Sequence, residues 1–127
     1  MNYVEIIENY LCDVCDAVFD DGIVCDKIFN PEDSATRSAY VTQQLEPLTD
    51  QDGIRIFSAR IVENRKTRSE CIRDMGIIDD NFRKYSKKLD NGLVIRISIQ
   101  YIMSPIQTII GTQTAYNLSA MLNVSIT

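Results

Sequence analysis

Two long runs of alternating apolar and polar residues close the sequence, and they restrict what it can fold into. Leu93, Ile95, Ile97, Ile99, Tyr101 and Met103 share one face of the first run, with Val94, Arg96, Ser98, Gln100 and Ile102 opposite. Tyr116, Leu118, Ala120, Leu122, Val124 and Ile126 repeat the pattern, backed by Asn117, Ser119, Met121, Asn123 and Ser125. A period of two marks a strand with one buried face. Pro105 and Gly111 fall between the runs, so the pattern predicts a long antiparallel hairpin closed by a wide loop at 104–113. At ~3.3 Å per residue each strand spans more than about 30 Å. That is more strand than a small core requires, and its surplus edge is available to a neighbour. Gln100, Asn117, Ser119 and Asn123 are the candidate sheet-edge or partner contacts.

A hairpin of this length needs a covering layer, and the first segment provides one. Val4, Ile7, Leu11, Val14 and Val18 recur at spacings of three and four, which stacks them on one face of a helix. Asn2 is placed to cap that helix, with Glu5 three residues on as its capping-box acid. Asp20-Asp21-Gly22 is the expected stop.

Between helix and hairpin the pattern is mixed. Residues 23–29 suit a short strand or an irregular approach. Asn30-Pro31-Glu32-Asp33 has the cap, first-turn proline and acids that open a short helix. Residues 34–47 suit helix or strand equally, and Pro47 with Thr49–Gly53 makes a turn. Ile54–Val62 is a strand with apolar residues on both faces. Residues 66–89 return to helical character, with a break expected at Gly76 and a second helix capped by Asp79 or Asp80. The whole is a single α+β domain: an N-terminal amphipathic helix, an antiparallel sheet with a long C-terminal hairpin, and helices packed on one face.

Charge is unevenly distributed along the 127 residues. Residues 1–36 carry nine acids against the single base Lys27, while the remainder carries nine acids and twelve bases. The split allows two faces of opposite sign, or an acidic solvated helix followed by an ordinary surface. Glu5, Glu8, Asp13 and Asp16 on the first helix, and Arg83, Lys84, Lys87 and Lys88 in the basic middle, are the candidate contacts between copies. Those bases also suit a solvated helix end or a phosphate contact.

Motifs for chemistry are sparse. Histidine is absent, which removes the commonest general base and the commonest metal ligand. Cys12-Asp13-Val14-Cys15 is one close thiol pair where a structural zinc site needs two. It lies inside a predicted helix beside Asp13 and Asp16, which oppose thiolate formation, so buried structural cysteines are the expectation over metal or redox use. Asp50-Gln51-Asp52-Gly53 resembles the middle of a calcium loop, but Leu48 and Ala59 stand where its essential carboxylates belong. Neither a phosphate loop nor a nucleophile elbow is present. No catalytic residue, metal or cofactor is expected, and the chain is read as a non-enzyme.

The order of elements resembles phage tail-terminator and tail-completion (neck) proteins. The likeness rests on layout: the helix through Val4, Ile7, Leu11, Val14 and Val18, the strand Ile54–Val62, the helix from Thr67, and the long C-terminal strands. It covers most of the chain without a diagnostic motif, and the interruption at Gly76–Asp79 and the loop 104–113 depart from the simplest layout. The resemblance implies a structural virion component that forms a homo-oligomeric ring with other tail or neck proteins as partners. DNA would pass without specific binding, since carboxylates facing a channel repel phosphates. It implies no membrane, no small-molecule substrate, and assembly in a host cytoplasm. The rival expectation is a small acidic cytoplasmic chaperone or adaptor that binds a basic protein segment as a dimer.

Overall fold

The computed structural model describes residues 2–45 and 53–127. Eight elements follow one another: α1 (Tyr3–Val18), β1 (Cys25–Asp26), β2 (Thr36–Leu45), β3 (Arg55–Arg65), α2 (Arg68–Phe82), β4 (Lys84–Lys88), β5 (Val94–Ile110) and β6 (Gln113–Ile126). The strands form one six-stranded sheet in the order β1-β2-β3-β6-β5-β4. The fold is α+β with a helix at the N-terminus.

Helix α1 begins as its sequence dictates. Asn2 Oδ1 accepts the Glu5 backbone N–H at 3.1 Å, and Ile7, Leu11, Cys12 and Cys15 form the buried side. It ends at Val18, before the aspartates, and Gly22 takes its positive φ of 78° in the following loop. Helix α2 opens on a capping box in which Thr67 and Glu70 satisfy each other's backbone N–H groups. Both helices pack on one face of the sheet. Cys12 Sγ contacts the Ala39 carbonyl and Cys71 Sγ the Tyr116 carbonyl. One core joins the helices to Ala39, Phe57, Ala59, Ile61, Leu118, Ala120, Leu122, Val124, Ile95 and Ile97.

Several expectations need correction. The sheet is mixed, because β1 runs parallel to β2 while every other pair is antiparallel. Residues 30–33 form a turn, with Asn30 Oδ1 accepting the Glu32 N–H, and open no helix. The ambiguous segment 34–47 is strand from Thr36 to Leu45. The expected turn around Pro47 and Thr49 lies outside the described residues, apart from Gly53. Gly76 does not break α2, which runs through it to Phe82. Tertiary packing of Cys71, Asp74, Ile78 and Phe82 outweighs the glycine's cost of ~1 kcal/mol relative to alanine. Lys84–Lys88, expected to be helical, is an edge strand paired with Val94–Ser98.

The hairpin departs furthest from the alternating pattern. There is no wide loop at 104–113, because β5 continues to Ile110 and only Gly111 and Thr112 separate it from Gln113. Gly111 has φ 63° and Thr112 does not enter positive φ, the distribution of a type II′ hairpin turn. Two bulges absorb the extra length, one between Ile99 and Tyr101 and one between Met103 and Ile106. The first inserts Gln100, so Tyr101 and Met103 swap sides and Ile102 replaces them against the core. The second removes the ladder demand that Pro105 cannot meet.

Candidate functional site

Strand registers place the side chains of the uncovered sheet face in rows. One row crosses β2, β3, β6 and β5 as Tyr40, Arg60, Met121 and Tyr101. Beside it run Ser38, Val62, Ser119 and Met103 on one flank, and Gln43, Ser58, Asn123, Ser98 and Lys84 on the other. Leu45, Ile56, Ser125, Arg96 and Ser86 complete the lower margin. Both helices lie on the opposite side. Ile56, Tyr101, Met103 and Ile106 are consequently left 39%, 47%, 41% and 54% exposed. Only the upper end is sheltered, where Asn64 Nδ2 donates to the Pro31 and Asp33 carbonyls of the β1–β2 loop.

This face joins an open edge. Strand β4 covers β5 only from Val94 to Ser98, so the stretch from Ile99 to Ile110 has β6 on one side and no described strand on the other. The bulges and Pro105 lie within that stretch and interrupt its edge. Of the four candidate edge residues, Gln100 belongs to it. Asn117, Ser119 and Asn123 do not, because β6 is an interior strand. Asn117 donates to Asn64 Oδ1, and Ser119 accepts from Arg60 Nε at 2.7 Å. Asn123 is exposed on the open face. No family model and no curated protein matches the chain.

Among the described residues, the strand positions of the open face carry Arg60, Arg96, Lys84 and Lys88 and a single acid, Asp26, beside Ser38 on the β1 edge. On the far side of the molecule, Glu5, Asn9, Asp13 and Asp16 line the outward stripe of α1, and Asp20 follows beyond its end. Three of the candidate acids are engaged within the chain, Glu5 by accepting from Asn2 Nδ2 at 3.4 Å. Glu8 Oε2 accepts the Val41 N–H at 2.9 Å, and Asp16 Oδ1 accepts the Cys25 N–H at 2.8 Å. The candidate bases also divide. Arg83 caps α2 and pairs with Asp79 one turn earlier. Lys87 reaches over the Tyr10 ring of α1. Lys84 and Lys88 hold strand positions on the open face, and Lys88 also borders a groove of about 720 Å³ between α1 and the β4–β5 turn. That groove brings Ile6, Tyr10, Val14, Tyr85 and Leu89 together, edged by Asp13 and Asp90.

A buried ionic cluster fixes the helical layer to the sheet. Arg37 is fully buried and donates to Asp21, Glu63 and Asp74, with its guanidinium 3.6 Å from the Phe19 ring centre. Arg65 donates to Asp21, Asp74 and Glu70. Burial raises the Asp21 carboxyl, but Arg37, the Ile23 N–H and Arg65 outweigh it and hold the group below the usual carboxylate range. Burial and the adjacent Asp74 carboxyl push Glu63 up to about 9, against the opposing pull of Arg37. Glu63 therefore keeps its proton at neutral pH, and the protonated carboxyl can donate to Asp74.

All four cysteines are buried. Cys12 and Cys25 bring their sulfurs within 3.2 Å. The Cys25 contact and burial raise the Cys12 thiol. For Cys25 the Cys12 contact works downward, and Cys15 together with burial reverses it. Among the described residues no group of three or more His, Cys, Asp or Glu is arranged to hold a metal. No helix of the described residues is long and apolar enough to cross a membrane.

Residue periodicity pointed to Arg96 and Ser98 as outward-facing but missed the row Tyr40-Arg60-Met121-Tyr101. That row depends on a strand order and on two bulges that no local pattern encodes.

Proposed function

We propose that the chain is a structural assembly subunit, a ring-forming tail-terminator or neck component of a tailed phage that joins tail to head around the DNA channel. The uncovered sheet face and its continuation into the open β5 edge carry this reading. A contiguous surface containing Ile56, Tyr101, Met103 and Ile106 suits contact with protein better than exposure to water. An unpaired edge from Ile99 to Ile110 offers backbone groups to the same neighbour. The order helix, strands, helix, hairpin keeps the layout on which the phage resemblance rests. The partners under this reading are further copies and other tail or neck proteins, with DNA passing through and not specifically bound.

Light scattering across a concentration series, followed by negative-stain imaging, tests it. Closed rings or tubes support the proposal, and a monomer at every concentration overturns it. A symmetric dimer would favour the second reading, a cytoplasmic adaptor for a basic protein segment. The groove beside α1 supports that reading through its apolar walls from Tyr10, Val14 and Leu89, which suit an amphipathic segment, with Asp13 and Asp90 balanced by Lys87 and Lys88.

A further inference from the structure

We infer that copies of this chain associate head to tail, the open sheet face of one seated on the outward acidic stripe of α1 of the next. The inference rests on the self-assembly reading above and specifies the two surfaces involved. Arg60, Arg96 and Lys84 project from a face whose one strand carboxylate among the described residues is Asp26, set apart on the β1 edge. Among the described residues none of these three bases enters a salt bridge, and neither do Glu5, Asp13, Asp16 or Asp20. Each copy thus carries two outward surfaces of opposite sign on opposite sides of the sheet.

The spacings agree. Arg60 and Arg96 stand two strands apart and four residues apart along the ladder, which is roughly 16 Å at ~4.8 Å per strand and ~3.3 Å per residue. Glu5 and Asp16 are eleven residues apart on α1, again roughly 16 Å at 1.5 Å per residue. Tyr101, Met121 and Ile56 lie between and beside the bases, so the contact has an apolar centre as well as charged margins.

A two-fold contact of sheet face on sheet face would bring Arg60, Arg96 and Lys84 of both copies together, with only one Asp26 per copy to offset them. Charge therefore favours different surfaces on the two sides of each contact. Such heterologous contacts close into rings or extend as filaments. The same face, with its tyrosines and bases, is also chemically suited to single-stranded nucleic acid. The matching acidic stripe on the same chain favours a second copy.

Sedimentation velocity on the full chain in low salt tests this with three variants. Arg96→Glu with Lys84→Glu should weaken self-association by about tenfold or more. Glu5→Lys with Asp13→Lys should weaken it comparably. Combining all four substitutions in one chain should restore much of the association, since the substituted positions then face one another with their signs exchanged. These positions are exposed, and unchanged circular dichroism and melting will show that each variant folds. Wild-type association that survives the first two variants, or is not rescued by the third, overturns the head-to-tail arrangement while leaving self-assembly standing. A wild-type chain that never associates overturns both. Saturable binding of a fluorescent oligothymidine that Arg96→Glu abolishes would assign the face to nucleic acid and also overturn the inference.

Discussion

Arg37 Nη2 donates to Asp21 Oδ2 at 2.6 Å, joining an interior strand to the loop that leaves the first helix. The Arg37 side chain is wholly inaccessible and that of Asp21 is 9% exposed. Removing one member of such a pair leaves the other charged, buried and without its partner, at a cost of about 3–5 kcal/mol. Arg37→Ala should therefore lower the urea midpoint severely or abolish folding. Asp21→Asn, which keeps a hydrogen-bond acceptor, should cost less. A midpoint for Arg37→Ala within experimental error of wild type would show that the cluster contributes nothing to stability.

Glu63 makes the same cluster sensitive to pH in an unusual direction. Its carboxyl sits near 9 in the folded chain, through burial and the neighbouring Asp74, against ~4.3 when unfolded. Between those values the folded state holds a proton that the unfolded state has released. Stability attributable to Glu63 is complete below the unfolded value and declines as pH rises toward 9, by at most ~1.4 kcal/mol per pH unit. Asp21 acts oppositely, its contribution being present above ~3.9 and lost on acidification. Glu63→Gln should flatten the decline in melting temperature between pH 5 and 9. An unaltered slope in that variant would remove Glu63 as its source.

The ionic cluster was invisible to pattern reading for a physical reason. Its members at 21, 37, 63, 65, 70 and 74 come from three elements and a loop, and each is of a type that is ordinarily solvated. Only the tertiary fold reveals that they neutralise one another. By contrast α1 and the existence of the hairpin were legible, since the cap at Asn2, the stripe at Ile7 and Leu11, and the alternation from Leu118 to Ile126 are local. The strand at Lys84–Lys88 was not. Its lysines carry little strand propensity, and pairing with Val94–Ser98 decides its state.

Gly76 offers a test of propensity set against packing. It lies in an exposed turn of α2 with ordinary helical φ, and a Cβ built there meets nothing within 4 Å. Gly76→Ala should stabilise the chain by about 0.5–1 kcal/mol, read as a higher denaturation midpoint. A loss of stability would mean that the glycine is needed for a contact with a partner or for a bend in the helix.

The thiols should be protected by the fold. Cys12, Cys25 and Cys71 are buried and their ionisation is suppressed, with Cys71 pushed up to about 12 chiefly by burial and then by the Glu63 and Asp74 charges. Alkylation by iodoacetamide at pH 8 should be slow in the native chain and rapid in urea, as counted by intact mass. Fast single-site alkylation of the native chain would identify a thiol more open than this packing allows.

Gln100 decides which side chains of the outer hairpin belong to the core. With that residue inserted, Ile102 pairs with Ala120 and packs inward, whereas Tyr101 pairs with Met121 and Met103 with Ser119 on the open face. An uninterrupted strand would reverse these roles. Ile102→Ala should therefore destabilise the chain by about 1–3 kcal/mol, since part of a half-buried side chain packed on the core is lost. Tyr101→Ala and Met103→Ala should each stay within about 0.5 kcal/mol in the same chemical denaturation series. Their effect should appear instead in self-association, because both side chains face the surface assigned to the neighbouring copy. If Tyr101→Ala proves more destabilising than Ile102→Ala under conditions where the chain is monomeric, the bulge does not set the register and the open face must be redrawn.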